Sequence, residues 1–145
     1  MKSSKNKPLE AKISERISRK KGDVFLRSDF EDLGGYDQVG RALRRLVVKG
    51  KLVKIGYGLY ARATVGPLSG KVVPSNGLPS LAMEALQRLK AEKLLDVEVV
   101  APTSAQAYNT GRTTQVPTGR VIGVKGRVSR KIAFGGNQIV YERAS

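Results

Sequence analysis

The stretch GGYDQVGRALRRL, residues 34–46, joins a two-glycine turn to the pattern of an amphipathic helix. We expect Asp37 to cap this helix and Gly50 to end it. Its apolar residues recur at helical spacing and predict one buried stripe, made of Val39, Ala42, Leu43 and Leu46. The helix also carries four long polar residues that lie mostly away from this stripe: Gln38, Arg41, Arg44 and Arg45. A helix of this kind buries one face and offers hydrogen-bond donors on the other.

The chain before this stretch begins with a polar, basic segment and continues into a second periodic region. Residues 1–8 show no periodicity and predict a flexible basic arm. Leu9, Ile13 and Ile17 then repeat at every fourth position among Lys, Glu and Arg, which predicts an amphipathic helix that ends near Gly22.

A short apolar run and a possible cap connect these two helices. Residues 24–26 predict a short extended segment. Ser28 and Glu31 have the spacing of a capping box, so we expect a short helix that buries Phe30 and Leu33.

A hairpin pattern follows the helix of residues 34–46. Residues 51–55 and 59–62 predict two strands, joined by Gly56-Tyr57-Gly58, whose glycines suit a tight turn. Three helices followed by a hairpin is the order of elements in a winged helix-turn-helix, which we expect over residues 9–64.

The rest of the chain predicts a second, smaller module and an α+β fold class for the whole. Residues 65–79 are rich in Gly and Pro and predict a linker. We expect Ser80 to cap a helix whose apolar stripe is Leu81, Ala85, Leu86 and Leu89. A strand with Leu95, Val97 and Val99 follows, and one further helical turn is expected to start at Thr103 or Ser104. Three more strands are expected at residues 120–124, 128–134 and 138–142. These elements define a small α+β domain over residues 80–145.

The composition excludes most enzyme chemistry. Among the 145 residues there is no His and no Cys, which removes the usual zinc, haem and iron–sulfur ligands, thiol nucleophiles and imidazole bases. Residues 66–71 resemble a P-loop, but three residues separate their glycines where a P-loop has four. Val72 stands where the Ser or Thr that binds magnesium is needed. Asp29, Glu31 and Asp32 could suggest a carboxylate metal site, but the dipole of a helix favours acids in its first turn and the capping box accounts for Glu31. We therefore expect no catalysis, no metal and no cofactor.

The net charge of +15 points to a polyanionic partner, and its distribution favours double-stranded DNA. Residues 1–61 contain 15 basic and 7 acidic residues. A helix that presents arginines beside a glycine turn and a hairpin suits the major groove. The hairpin tip either follows the phosphate backbone, enters the minor groove, or is an ordinary surface turn. The candidate DNA-binding residues are Tyr36, Gln38, Arg41, Arg44, Arg45, Lys51, Lys54 and Tyr57.

A second group of basic residues lies in the later strands. Alternation along residues 128–134 places Val128, Ile132 and Phe134 on one face, with Arg130 in line with them. The candidate second basic face consists of Arg112, Arg120, Lys125, Arg127 and Lys131. Such a face either binds phosphate or a protein partner, or keeps the sheet edges soluble.

Two groups of short segments resemble AbiEi-type antitoxins of type IV toxin–antitoxin systems. In the first half these are GDVF (22–25), RALRRL (41–46) and KIGYGLY (54–60). In the second half they are APTSA (101–105) and NTGRTTQVP (109–117). Members of that family usually continue past the point where this chain stops, so the resemblance is to a form with a shortened C-terminal domain.

The resemblance implies a bacterial or mobile-element repressor that autoregulates its operon and counters a nucleotidyltransferase-like toxin, directly or indirectly. Two alternatives remain open at this stage: a winged-helix regulator without a toxin, and an RNA-binding accessory protein that uses the basic strands. Because the N-terminus has no apolar stretch, we expect a cytoplasmic, nucleoid-associated protein without membrane contact.

Overall fold

The computed structural model describes residues 8–96, 98–102 and 121–143, and its architecture is mixed α+β as predicted. Two compact units share these residues. The first contains the described residues up to Lys54 together with Gly58–Ser75, and the second contains Ile55–Tyr57 and the described residues from Asn76 onward. The predicted arm, the helical turn at Thr103 or Ser104 and the segment 109–117 lie outside the described residues, apart from Pro8.

The first helix of the first unit, α1, spans Leu9–Arg19, in agreement with the predicted periodicity. It buries Ile13 and Ile17, which lie one turn apart on the same face. Lys20 closes the helix in an extended conformation, and its backbone N–H donates to the carbonyls of Arg16 and Ile17. The strand β1, Val24–Leu26, follows and is buried along its whole length.

The predicted capping box at Ser28 is wrong, because the segment is a single 3₁₀ turn over Arg27–Phe30. The Asp29 carboxylate accepts the backbone N–H of Leu26 at 2.9 Å, so Asp29 closes the turn instead. The Ser28 hydroxyl is buried and has no hydrogen-bond partner among the described residues. Phe30 is fully buried as expected, whereas Leu33 is only partly buried.

The helix predicted from residues 34–46 is α2, Tyr36–Val48. It starts before Asp37, so the prediction that Asp37 caps it is wrong; Gly35 is the N-cap and Asp37 lies in the first turn. The Gln38 side chain accepts the Gly35 N–H at 3.3 Å. The predicted apolar stripe is confirmed as buried, and it consists of Val39, Ala42, Leu43 and Leu46.

A four-stranded sheet completes the first unit. The strands β2, Leu52–Gly56, and β3, Leu59–Val65, form the predicted hairpin, with Gly58 at a φ of 67° in the turn. The order is β1-β3-β2, and both β1 and a fourth strand, β4 (Val72–Pro74), pair with β3 in antiparallel register. The strand β4, Val72–Pro74, lies inside the segment that the sequence predicts to be a linker.

The core of the first unit is formed where these elements meet. Phe25, Phe30 and Tyr60 are its largest fully buried side chains, and they pack with the apolar faces of α1 and α2. The rings of Phe25 and Phe30 lie 6.4 Å apart in a tilted arrangement. The guanidinium of Arg62 lies 5.1 Å from the centre of the Phe25 ring and covers one side of it.

The second unit begins with α3, Leu78–Ala91. Gly77 is its N-cap and Ser80 lies within the first turn, so the predicted cap at Ser80 is wrong. Pro79, at the start of the helix, needs no backbone N–H there. The predicted apolar stripe is buried, and Ala82 joins it.

Two small sheets make up the rest of the second unit. The strands β5, Glu98–Pro102, β6, Val121–Lys125, and β9, Val140–Arg143, form a sheet in the order β5-β6-β9. β5 and β6 are antiparallel, whereas β6 and β9 are parallel. The strand predicted at residues 128–134 is confined to β7, Ala133–Phe134, which pairs with β8, Asn137–Gln138.

None of the helices in the part of the chain that the structure describes combines the length and apolar character needed to cross a membrane.

In the second unit, the hydroxyl of Tyr141 donates to the carbonyl of Arg130 at 2.8 Å. Burial raises the pKa of Tyr141 to about 12, because the phenolate would be poorly solvated there.

We predict that Leu46→Ala lowers the free energy of unfolding by about 2–5 kcal/mol, because it opens a cavity in a packed core. Leu46 is 2% exposed, whereas Val48 on the same helix is 87% exposed. The matched control Val48→Ala should therefore change stability by no more than about 0.5 kcal/mol. Urea denaturation of the two variants measures the difference, and equal losses would contradict the packing of α2 described above.

Candidate nucleic-acid interface

The outward face of α2 carries three exposed arginines. Arg41, Arg44 and Arg45 lie opposite the buried stripe that fixes the rotation of the helix. Among the described residues, none forms a hydrogen bond or an ion pair with their guanidinium groups. A helix face with several uncompensated cations attracts a polyanion.

Most of the other arginines of this unit form ion pairs with acidic residues. Arg16 forms two contacts with the Asp32 carboxylate, at 2.5 and 2.9 Å. Arg19 contacts Glu15 at 3.2 Å, and Arg62 lies 3.2 Å from Asp23. Within the described part of the first unit, the arginines without such a partner are Arg41, Arg44, Arg45 and Arg27. Ion pairing therefore reduces the charge around α1 and β3 but leaves the outward face of α2 positive.

The end of α2 adds an apolar element to this face. Val48 is among the most exposed large apolar residues of the protein. A shallow depression in this region is lined by Arg41, Arg44, Arg45, Val48 and Lys49. Lys49 itself is paired with Glu10, so it contributes less free charge than the three arginines. The sequence analysis did not select Val48, although its place outside the predicted stripe was a signal.

The start of α2 contains Tyr36 and Gln38, which the sequence also selected. Both are exposed, Tyr36 at 62%. The guanidinium of Arg27 lies 4.2 Å from the centre of the Tyr36 ring. Sequence reasoning missed Arg27. The available signal was Gly40, a glycine in the interior of a helix, where a residue without a side chain needs a reason.

The hairpin residues selected from the sequence are also at the surface. Lys51 lies immediately before β2, and Lys54 is the exposed position of β2. The ammonium group of neither lysine has a hydrogen-bond or ion-pair partner among the described residues. Tyr57, at the turn, is 75% exposed and is grouped with the second unit.

The candidate second basic face is only partly described. Lys125, Arg127 and Lys131 are exposed, whereas Arg112 and Arg120 lie outside the described residues. Lys125 lies 3.8 Å from the Glu98 carboxylate. Residues 127, 129 and 131 are exposed and alternate with less exposed positions up to the buried Ile132, although these residues form no strand.

The acidic residues near the 3₁₀ turn have structural roles. Asp29 accepts the Leu26 N–H, and Asp32 binds Arg16. This hydrogen bond lowers the pKa of Asp32 and raises that of Arg16. Within residues 8–96, 98–102 and 121–143, no cluster of His, Cys, Asp or Glu has an arrangement that could hold a metal ion.

Comparison with known proteins adds one match. The model of a family described as "Family of unknown function (DUF6088)" matches residues 12–145. No curated protein and no solved structure matches the chain significantly.

We predict that Asp32→Asn makes the protein less stable at neutral pH but not at acid pH. The folded-state pKa of Asp32 is depressed by Arg16, so its contribution to stability is present above the pKa of the unfolded chain. That contribution is lost as the pH falls through the folded-state value, below about pH 4. The difference between the urea midpoints of the wild type and the variant should therefore shrink progressively as the pH falls below about 4.

The matched control is Glu31→Gln, an exposed neighbouring acid without an ion-pair or hydrogen-bond partner for its carboxylate among the described residues. Its midpoint should follow the wild type at every pH. A difference for Asp32→Asn that persists unchanged into acid would contradict the electrostatic origin of its effect.

Proposed function

The chain belongs to the DUF6088 family, and we propose that it is a repressor that binds double-stranded DNA through the outward face of α2. One observation carries the proposal: Arg41, Arg44 and Arg45 share an exposed helix face without acidic partners, whereas Arg16, Arg19 and Arg62 of the same unit are paired. Unpaired guanidinium groups on a helix suit the phosphates and guanine edges of a major groove.

The order of elements supports a winged helix-turn-helix interpretation of the first unit. In this interpretation α2 is the recognition helix, and the β2–β3 hairpin is the wing. The 3₁₀ turn at Arg27–Phe30 takes the place of a longer second helix. Phe30 is buried there, so even one turn supplies an apolar contact that packs against α2.

We assign different roles to the two groups of polar residues. Gln38, Arg41 and Arg45 are proposed to contact base edges, because they combine bidentate donors or acceptors with a position on the outward side of the recognition helix. Lys51 and Lys54 are proposed to contact phosphates, since an ammonium group acts as a point charge. Arg44 and Tyr36 complete the surface on α2, and Tyr57 is placed at the tip of the wing.

For the second unit we propose an antitoxin role. This rests on the resemblance of residues 101–105 and 109–117 to AbiEi-type antitoxins, which implies a nucleotidyltransferase-like toxin as the counterpart. Lys125, Arg127 and Lys131 form the described part of a basic face that suits an acidic surface on a protein partner or a phosphate-bearing one. The whole chain would then act as an autoregulating antitoxin.

We predict that alanine at Gln38, Arg41 or Arg45 costs on the order of 1–3 kcal/mol on the preferred DNA site and much less on an unrelated duplex. Alanine at Lys51 or Lys54 should weaken binding to both duplexes alike, because phosphates are the same in every sequence. The preferred site is first obtained by selection from a random duplex pool with the full chain. Fluorescence anisotropy then gives the Kd of each variant on both duplexes.

Arg19→Ala is the control for charge, since it removes one exposed cation that is already paired with Glu15. Its Kd on both duplexes should stay close to that of the wild type. Equal losses of affinity on the two duplexes for all five variants would show that α2 positions the protein on DNA without reading its sequence. A random pool without an enriched site would refute sequence-specific binding.

We predict that DNA binding and toxin neutralisation separate by mutation. The triple variant R41A/R44A/R45A should lose DNA binding but still rescue growth when it is co-expressed from a foreign promoter with a nucleotidyltransferase-like gene adjacent to its own. The variant K125A/R127A/K131A should show the reverse behaviour. Growth curves and a DNA shift assay on the same proteins measure both activities.

The wild-type chain is the reference for rescue in this experiment, and circular dichroism confirms that each triple variant is folded. Loss of rescue in the α2 variant alone would contradict the division of labour. No rescue by the wild-type chain, or the absence of such a neighbouring gene, would favour a regulator without a toxin.

A further inference from the structure

Arg27 lies against the surface of α2, in a place that the residues of the helix shape for it. Its guanidinium carbon lies 4.2 Å from the centre of the Tyr36 ring, a cation–π distance. One turn further along the helix is Gly40, and the Arg27 side chain occupies the space where a side chain at position 40 would begin. The side chain of Arg27 is thus held between an aromatic ring and a bare stretch of helix.

Gly40 lowers the stability of α2, and the contact with Arg27 explains why a glycine lies there. Glycine in the interior of a helix destabilises it relative to alanine. A Cβ atom at residue 40 would lie 2.8 Å from Nη2 and 2.9 Å from Cζ of Arg27, too close for either atom. The atoms in conflict belong to the far end of a flexible side chain, so alanine at this position would displace Arg27 and leave the helix intact.

Apart from the Tyr36 ring, this charge has no partner among the described residues. Among the described residues, none accepts a hydrogen bond from the Arg27 guanidinium or forms an ion pair with it, and its Nε atom is buried without a partner. Burying Nε without an acceptor is unfavourable, so this placement of Arg27 costs stability in the free protein. The side chain is already ordered by Tyr36, so a ligand would not have to pay for ordering it.

We propose that Arg27 is a preorganised phosphate-binding residue, and that it binds the backbone of a nucleic-acid duplex beside α2. Tyr36 and Gly40 are its positioning residues. A guanidinium offers a planar pair of donors that matches two phosphate oxygens, and a stacked side chain cannot extend towards the bases as a free one can. This inference rests on the proposed function and adds a phosphate site outside the residues assigned above.

The first test is the affinity of the full chain for a mixed-sequence duplex of about 30 base pairs, measured by anisotropy over a series of salt concentrations. Arg27→Ala should weaken binding about fivefold to tenfold, the loss of one charged hydrogen-bonded contact. It should also reduce the slope of log K against log salt by about 0.9. The control Arg19→Ala removes the same charge from an exposed, paired position and should change neither quantity appreciably.

The second test uses Gly40→Ala, which should weaken binding by about the same factor as Arg27→Ala. Its melting temperature should equal or exceed that of the wild type, because alanine favours the helix. In the Arg27→Ala background, Gly40→Ala should cause no further loss of affinity. Gly77→Ala is the matched control, since its nearest non-neighbouring atom would be 3.8 Å away and its affinity should be unchanged.

Two results would overturn the inference while leaving the proposed function in place. One is an Arg27→Ala variant with the affinity and salt slope of Arg19→Ala on a duplex that the wild type binds. The other is a Gly40→Ala variant that weakens binding equally with and without Arg27. If the wild type shows no salt-dependent binding to any duplex, the proposed function fails, and this inference fails with it.

Discussion

The packing of the apolar stripe of α2 is the constraint on which the rest of the first unit depends. Val39, Leu43 and Leu46 are buried against a core that includes Phe25 and Tyr60. Each of these contacts removes apolar surface from water, and together they fix the rotation of the helix about its axis. Because that rotation is fixed, the arginines at positions 41, 44 and 45 have to face outward.

Ion pairing then determines which of the basic residues remain available. Several of the cations around α1 and β3 lie beside an acid that is distant in the sequence, as in the contacts of Arg16 with Asp32 and of Arg62 with Asp23. Exposed pairs of this kind contribute little to stability. Their main consequence here is electrostatic: Arg16, Arg19 and Arg62 lie beside acids, whereas Arg41, Arg44 and Arg45 on the face of α2 have no acidic partner among the described residues. The proposed DNA-binding function follows from this contrast more than from the total charge.

Two local features of the first unit run against simple sequence rules, and both lie beside that face. Gly40 interrupts a helix that alanine would stabilise, and the Arg27 guanidinium fills the space it leaves. Residues 27–30 form one 3₁₀ turn where a short helix with a Ser28 capping box was expected. Departures from local preference are frequent at functional sites, where stability is exchanged for the placement of a group. Tyr36 connects the two features, because its ring stacks on Arg27.

The sequence alone predicted α1, α2 and α3 with their buried stripes and the β2–β3 hairpin, because burial in a helix follows a period of 3.6 and glycine marks tight turns. It also predicted which polar residues of α2 are exposed. It could not predict the cap supplied by Asp29, the pairing of β4 with β3 or the parallel pairing of β6 with β9. The stacking of Arg27 on Tyr36 also could not be predicted from the sequence. Each depends on groups that meet only when the chain is folded, and local periodicity carries no information about which distant groups will meet.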